Sequence, residues 1–176
     1  MSNPLQLPLQ KLQATIQAIK PALVDAIGVE VLHFVDDNFA KQGFQGVTFE
    51  AWPKLQKPPK GKPRKILVDT GTLRRSFTKT DSEDSTTIST DVPYAKIHNE
   101  GGDIAHPSRS VVLNFKQKKG TNAWRFAKQK RATLSRKATI GDHVTHMPKR
   151  QFIGNSPVLT ARCEKVIIKI LKEAVR

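Results

Sequence analysis

Apolar residues recur at helical spacing at both ends of the chain, and this pattern constrains the fold more than any other feature. Near the C-terminus, Ser156 is a good N-cap and Pro157 suits the first turn of a helix. The apolar face of that predicted helix consists of Leu159, Cys163, Val166, Ile167, Ile170, Leu171 and Ala174. Another element has to cover such a face, so the chain needs a packed core.

Residues 1–43 are predicted to form N-terminal helices. Apolar residues recur there at spacings of three and four, at Leu9, Leu12, Ile16 and Ile19. Pro21 interrupts this pattern. Because proline fits the first turn of a helix and not its interior, we expect a second helix to begin at Pro21. Gly43 is expected to end that helix.

Short β-type runs occupy the middle of the chain. They cover residues 66–68, 86–90, 111–115 and 143–147 and are bounded by Gly, Pro, Asp and Asn, as strands commonly are. The chain has 176 residues, which fits a single domain, 1–176. The order of helix, strands and helix predicts an α+β domain. In that domain, the N-terminal and C-terminal helices pack on an antiparallel β-sheet, and some of the loops are long and basic.

The charge is strongly positive and unevenly distributed. The net charge is +15. Residues 41–79 contain ten basic and two acidic residues, residues 80–104 one basic and six acidic, and residues 105–150 twelve basic and one acidic. Such alternation is expected of a protein that meets copies of itself or a matching neighbour, although each segment alone is equally typical of a solvated face. The basic excess fits either nucleic acid or an acidic protein partner.

Two basic segments, 57–65 and 116–137, are predicted to be mobile arms because Lys, Pro and Gly dominate the first and Lys and Arg crowd the second. Trp124 and Phe126 interleave with the second segment, which is a weak signal for nucleic-acid binding. The acidic residues between 81 and 91 predict a solvated β-hairpin loop. The candidate partner contacts are Lys57, Lys60, Lys62, Arg64, Asp81, Glu83, Asp84, Lys116, Lys118, Lys119, Arg125, Lys128, Lys130 and Arg131.

The sequence predicts no catalytic, cofactor-binding or metal site. Cys163 is the only cysteine and falls in an apolar stripe, where it is expected to be a small core residue. The phosphate-binding and nucleophile-elbow patterns are missing. No run of residues is apolar enough to predict a membrane span. The five histidines, His33, His98, His106, His143 and His146, do not have the spacing of zinc ligands.

Three strings of residues occur in a distinctive order. Residues 66–77 read ILVDTGTLRRSF, residues 92–102 read VPYAKIHNEGG, and residues 147–156 read MPKRQFIGNS. This set resembles the phage virion morphogenesis family, the Mu-type tail completion proteins, and more distantly the tail-component and neck proteins of siphophages. The family usually has proline where this chain has Gln151.

The resemblance implies a structural virion protein of tail completion or head–tail joining that acts only by binding. Its copies would form a homo-oligomeric ring that docks to tail or connector proteins, with at most non-specific DNA contact and no membrane. It would assemble in the host cytoplasm and remain in the virion. The alternative is a basic nucleic-acid-binding module, which predicts DNA binding that depends steeply on salt.

The residues of the first two strings predict turn chemistry. His98 and Glu100 fit either an acid–base pair or anchors of a bend or subunit contact, and the lack of a nearby nucleophile favours anchors. The residues predicted to build turns and bends are Asp69, Thr70, Gly71, Tyr94, His98, Glu100, Gly101 and Gly102.

Overall fold

The computed structural model describes residues 6–55 and 65–174. The chain divides into two compact units. The helical unit comprises Met1–Gly101 and Pro148–Arg176, and the β unit comprises Gly102–Met147. Helices at both ends pack on small antiparallel sheets, which confirms the predicted α+β class. The strands form four small sheets in place of the one sheet predicted.

In its described residues, the helical unit contains four helices and two β-hairpins. Their bounds are α1 Gln6–Lys41, β1 Gly43–Gln45, β2 Phe49–Ala51, α2 Thr72–Arg75, β3 Thr78–Asp81, β4 Thr86–Ser89, α3 Ala95–Glu100 and α4 Pro157–Ala174. Strand β1 pairs with β2 and strand β3 pairs with β4, both antiparallel.

Helix α1 continues through Pro21, so the prediction of two separate helices is wrong. Proline removes one backbone hydrogen bond from a helix interior, and the helix persists only where other contacts hold it. Two ion pairs with the β3–β4 hairpin supply such contacts on either side of Pro21. Lys20 pairs with Asp84, and Asp25 pairs with Lys79. The first pair lies one residue before the proline and the second four residues after it, so tertiary contacts outweigh the local signal.

Residues 66–68 form a turn, so the β-type run predicted there is also wrong. Leu67 has a left-handed backbone, with φ of 59°. The side chain of Gln42 accepts a hydrogen bond from the Ile66 N–H and donates one to the Ile66 carbonyl. A glutamine at the end of α1 thereby occupies both backbone groups that Ile66 would need for pairing in a sheet.

The core of the helical unit is aromatic. Phe39 of α1 stacks on Phe152, with ring centroids 5.3 Å apart, and meets Trp52 edge-on at the same distance. Leu73 of α2 and Ala95 of α3 are buried in the same cluster. The core therefore joins α1, the segment after β2, both short helices and the segment before α4.

Helix α4 begins as the sequence predicts. The Ser156 hydroxyl accepts hydrogen bonds from the N–H groups of Val158 and Leu159, at 3.1 and 3.3 Å, and so caps the helix. The predicted apolar stripe packs against α1, although Leu171 is exposed and the other residues of the stripe are only half-buried. Arg162 pairs with Glu30 and Asp37 of α1.

The β unit consists of strands and one 3₁₀ turn. Their bounds are β5 Gly102–His106, β6 Arg109–Gln117, β7 Trp124–Phe126, the 3₁₀ turn Gln129–Arg131, β8 Leu134–Ile140 and β9 His143–Met147. One sheet pairs β5 with β9, and the other has the order β7-β6-β8. The strands predicted at 86–90, 111–115 and 143–147 are confirmed as β4, β6 and β9.

Segment 116–137 has regular secondary structure, which differs from the arm predicted there. It contains the end of β6, all of β7 and the start of β8. The alternation of apolar and basic residues in this segment is compatible with strands, and pairing with the clearly predicted strand β6 organises it. Its mobility stays a prediction.

Candidate assembly surfaces

The three motif strings converge around the aromatic core of the helical unit. Asn99 of the second string accepts hydrogen bonds from the N–H groups of Phe152 and Ile153 in the third, at 3.0 and 3.1 Å. The Arg150 N–H binds the carbonyl of His98 at 2.8 Å. Leu73 of the first string is buried in the core beside Phe152. The three strings therefore hold one another in place around the core of the helical unit.

The third string is also fastened to the segment after β2. The Trp52 indole N–H donates to the Gln151 carbonyl at 2.7 Å. The Arg150 guanidinium donates to the Pro53 carbonyl at 3.1 and 3.2 Å. Gln151, which stands where the family usually has proline, thus contributes its carbonyl, a group that proline also has.

Of the residues predicted to build turns and bends, Tyr94 lies in a turn, His98 and Glu100 lie in helix α3, and Gly102 begins strand β5. Gly71 has φ of 72° and precedes α2, and the Thr70 carbonyl accepts a hydrogen bond from Arg75. Asp69 and Thr70 lie in the bend just before Gly71. Gly101 has φ of 76°, and a Cβ atom there would lie 2.8 Å from the Lys149 backbone nitrogen. These glycines therefore meet a real conformational and steric demand.

His98 and Glu100 do not form an acid–base pair. Among the described residues, the buried Nδ1 atom of His98 has no hydrogen-bond partner. Burial and the nearby Arg150 charge lower the pKa of His98 below its usual value. Tyr94 meets the His98 ring edge-on at 5.8 Å, and Glu100 is exposed to solvent. This arrangement suits anchoring better than proton transfer.

The acidic hairpin forms as predicted, but part of its charge is used within the chain. Strands β3 and β4 pair over four residues each. Asp81 binds Lys79 and Asp84 binds Lys20. The hydrogen bond from Lys79 lowers the pKa of Asp81. Glu83 is exposed in the turn, and of the three predicted contacts it is the one whose side chain forms no hydrogen bond or ion pair with the described part of the chain.

The basic segment 57–65 lies largely outside the described residues. Lys57, Lys60, Lys62 and Arg64 fall there, and their role as partner contacts stays a prediction. The other predicted basic contacts lie in the β unit, where all but the half-buried Lys116 are exposed: Lys118, Lys119, Arg125, Lys128, Lys130 and Arg131.

The β unit has no buried residue among its members Gly102–Met147, all of which the structure describes. It carries ten basic residues against Asp103 and Asp142, a net charge of +8. A folded segment of this size with no covered interior presents both of its sheets to surrounding molecules. Because the β unit is so basic, an acidic protein or a nucleic acid fits it better than another basic molecule does.

The sheet β7-β6-β8 has one apolar face. Directly paired residues lie on the same face of a sheet, and the register pairs Phe115 with Leu134 and Phe126, and Val111 with Ala138. Phe126 is 74% exposed and Trp124 is 50% exposed. The residues of this apolar face are Val111, Leu113, Phe115, Trp124, Phe126, Leu134, Ala138 and Ile140. Arg109 and Arg136 share the face.

A groove in the helical unit was not predicted from the sequence. It has a volume of about 290 Å³ and lies between the end of β4, helix α3 and the third string. Ile88, Val92, Phe152 and Ile153 form its apolar lining, and Glu100 lies at its rim. We call it the α3 groove. Its lining residues, from Phe77 to Ile153, are up to 76 positions apart in sequence, so no local pattern identifies it.

Three histidines lie on the β5–β9 sheet. The rings of His106 and His143 stack 4.7 Å apart, and His146 contacts Asp103 at 2.7 Å. Even so, within residues 6–55 and 65–174, no group of three or more His, Cys, Asp or Glu side chains could hold a metal ion. None of the helices described is long and apolar enough to cross a membrane.

Comparison with known proteins gives one match. A sequence model of the phage virion morphogenesis family matches residues 2–175. No curated protein and no solved structure matches the chain. The match includes both compact units and all three motif strings, and it agrees with the resemblance drawn from those strings.

Proposed function

The chain belongs to the phage virion morphogenesis family, and from this membership we propose that it completes the tail or joins it to the head by binding alone. Copies of the protein form a ring, and the ring docks to tail or connector proteins. The protein assembles in the host cytoplasm and remains in the virion. Membership itself establishes the coarser role, which is phage virion assembly.

The observation that carries the proposal is the uncovered β unit. An exposed apolar face of several residues usually marks a contact surface on a soluble protein. Here Phe126 and Trp124 are exposed on the same face as Phe115 and Leu134, in a unit without a buried residue. Association with another protein would remove that surface from water and stabilise the unit.

The shape of the framework also suits an assembly protein. The motif strings are held by hydrogen bonds to backbone groups, which keeps the bend before β5 in place. Burial and the nearby Arg150 charge lower the pKa of the half-buried His98 imidazole, which is what an anchoring residue shows as readily as a catalytic one. We therefore propose a scaffold that presents surfaces, with no catalytic step.

Oligomeric mass tests this proposal. We expect the purified protein to sediment as a concentration-dependent oligomer, and negative-stain images to show rings. We also expect it to bind tails assembled without it. A protein that stays monomeric at all concentrations and binds neither tails nor connector proteins would contradict the proposal.

A second candidate function is DNA contact, and the net charge of +8 on the β unit favours it. Phosphate neutralisation by several lysines and arginines would make binding fall steeply with salt. DNA titrations at low and physiological salt separate the two functions. Tight binding that persists in the monomer and disappears with salt would favour the nucleic-acid module over the assembly protein.

A further inference from the structure

The exposed aromatic residues of the β unit lie on a basic hairpin. Phe126 stacks on Phe115, with ring centroids 5.0 Å apart, and Trp124 pairs with Gln117 across the same two strands. The Lys118 N–H closes the turn by donating to the Ala123 carbonyl at 2.9 Å. The β6–β7 hairpin is thus an ordered element that holds two large apolar side chains in water.

The β6–β7 hairpin needs an apolar site that accepts single side chains. An aromatic side chain can bury about 150–250 Å² on association, which is a large gain for one residue. The α3 groove has a volume of about 290 Å³ and an apolar lining that includes Ile88, Val92 and Ile153. That volume lies at the small end of ligand pockets, so it suits one or two side chains and not a whole strand.

The charges at the two surfaces are opposite. Lys118, Lys119 and Arg125 are exposed on the β6–β7 hairpin. At the α3 groove, Glu100 is exposed at the rim. Asp91 is also exposed and lies between Thr90 and Val92, which both line the groove. Lys96 is the one cation among the lining residues. Two β units would instead meet with a net charge of +8 each, which disfavours face-to-face pairing of their sheets.

From these observations we infer that the β6–β7 hairpin of one copy inserts Trp124 and Phe126 into the α3 groove of a second copy. The contact joins two different surfaces, so each copy uses its hairpin on one neighbour and its groove on the other. Repetition of such a contact generates a ring when the rotation closes. This inference rests on the self-assembly in the proposed function and names the residues that perform it.

Disulfide cross-linking between two differently labelled chains tests the contact. Both chains carry Cys163→Ser, which removes the only native cysteine. One chain also carries Phe126→Cys and the other Ser89→Cys, a residue that lines the groove. Mild oxidation of the mixture is expected to give a covalent dimer, because disulfides form only when the Cβ atoms approach to about 3.5–4.5 Å.

The matched control is Thr87→Cys, two residues away on β4, exposed like Ser89 but outside the groove lining. We expect at least about a tenfold lower cross-linking yield with it, because Thr87 lies about 6–7 Å further along the same strand face, beyond the reach of a disulfide. Equal yields at residues 87 and 89, or dimers formed by the Phe126→Cys chain alone, would overturn the inference. The second outcome would indicate pairing of two β units.

Charge reversal supplies an independent readout. Arg136→Glu, a change on the same sheet face as Trp124 and Phe126, and Glu100→Arg are each expected to weaken self-association about fivefold. The combination of both changes is expected to restore most of it. No recovery in the combined variant would count against a contact between these two surfaces. If Trp124→Ser and Phe126→Ser abolish DNA binding but leave assembly intact, the aromatic pair serves nucleic acid and the inference is wrong.

The results also separate this inference from the proposed function. Wild-type protein that never self-associates contradicts the ring itself. Wild-type protein that forms rings without cross-linking between residues 126 and 89 leaves the ring in place and rejects only the hairpin-in-groove contact.

Discussion

Asparagine side chains fasten the third motif string at the scale of single residues. Asn38 is fully buried in α1, donates to the Phe152 carbonyl at 3.1 Å, and accepts a hydrogen bond from the Gln45 N–H. Asn99 accepts from the N–H groups of Phe152 and Ile153. The two amides therefore satisfy both the donors and the acceptor of one extended segment, which lacks a strand partner of its own.

Asn99→Ala is predicted to destabilise the helical unit by about 1–3 kcal/mol, because two backbone N–H groups lose their acceptor in a partly buried position. Urea unfolding followed by circular dichroism measures the change. Asn99→Asp keeps an oxygen at the same place and is expected to retain most of the stability. Equal losses in the two variants would show that the amide oxygen is not the important group.

His98 is predicted to make the protein less stable in mild acid. Burial, and then the Arg150 charge, lower the folded-state pKa, so as the pH falls below about 7 the unfolded chain binds more protons at His98 than the folded chain. Stability therefore falls as pH falls through the unfolded-state pKa. His98→Gln removes this titration, and the unfolding free energies of variant and wild type should diverge toward low pH. Parallel curves would exclude the effect.

At the scale of elements, local sequence signals are sufficient to predict the start of α4 but not the course of α1. The Ser156 cap and Pro157 start of α4 are decided within a few residues, and both were predicted. The continuation of α1 through Pro21 depends on Lys79 and Asp84, about 60 residues away. The turn at Leu67 depends on Gln42 in the same way.

Pro21→Ala is predicted to stabilise the protein by up to about 3 kcal/mol, because it restores a helical N–H and removes the ring that clashes with the preceding turn. Pro21 is exposed, so little packing is lost. Helicity by circular dichroism and the free energy of unfolding should both rise. Gln13→Ala, at another exposed position of α1, is the control and should change stability by less than about 0.5 kcal/mol. A destabilised Pro21→Ala variant would mean that the proline ring makes stabilising contacts of its own.

Gly28 lets the β3–β4 hairpin lie directly on α1. A Cβ atom at this buried position would come within 2.5 Å of the Thr86 hydroxyl and closer still to the Lys79 side chain. Alanine favours the helix by about 1 kcal/mol, but the overpacking costs about 1–3 kcal/mol. We therefore predict that Gly28→Ala loosens the hairpin.

Hydrogen exchange measures this loosening. The amides of β3 and β4 should exchange faster in Gly28→Ala, while those of α4 change little. Gly141→Ala in the β unit is the matched control, since no atom lies within 4 Å of a Cβ atom there. Unchanged protection of the hairpin would show that Lys79 and Thr86 adjust without moving the backbone.

For the whole molecule, the sequence predicted which surfaces are acidic or basic better than it predicted which of their charges are free to meet a partner. It correctly indicated an acidic hairpin and a basic segment, because charge can be read residue by residue. It could not indicate that Asp81 and Asp84 are paired with lysines within the chain. The α3 groove was missed for the same reason, since Ile88 and Phe152 meet only through the tertiary fold.

The helical unit should fold without the β unit. Gly102 and Met147 are paired across β5 and β9, so the two points where the chain leaves and re-enters the helical unit are adjacent. A two-residue Asn-Gly turn can join strands at this spacing. The aromatic core, including Phe39, Trp52 and Phe152, belongs entirely to the helical unit and would be retained.

We predict that replacing residues 103–146 by Asn-Gly leaves a protein with cooperative thermal unfolding and the helical signal of α1 and α4. The same protein should fail to form oligomers, because it retains the groove but has lost the side chains that fill it. Mixing it with full-length protein should then cap growing assemblies, since its groove still accepts a hairpin and it offers none in return. Sedimentation of the mixture should show smaller species as the truncated chain increases, whereas unchanged assemblies would place the essential contacts within the helical unit.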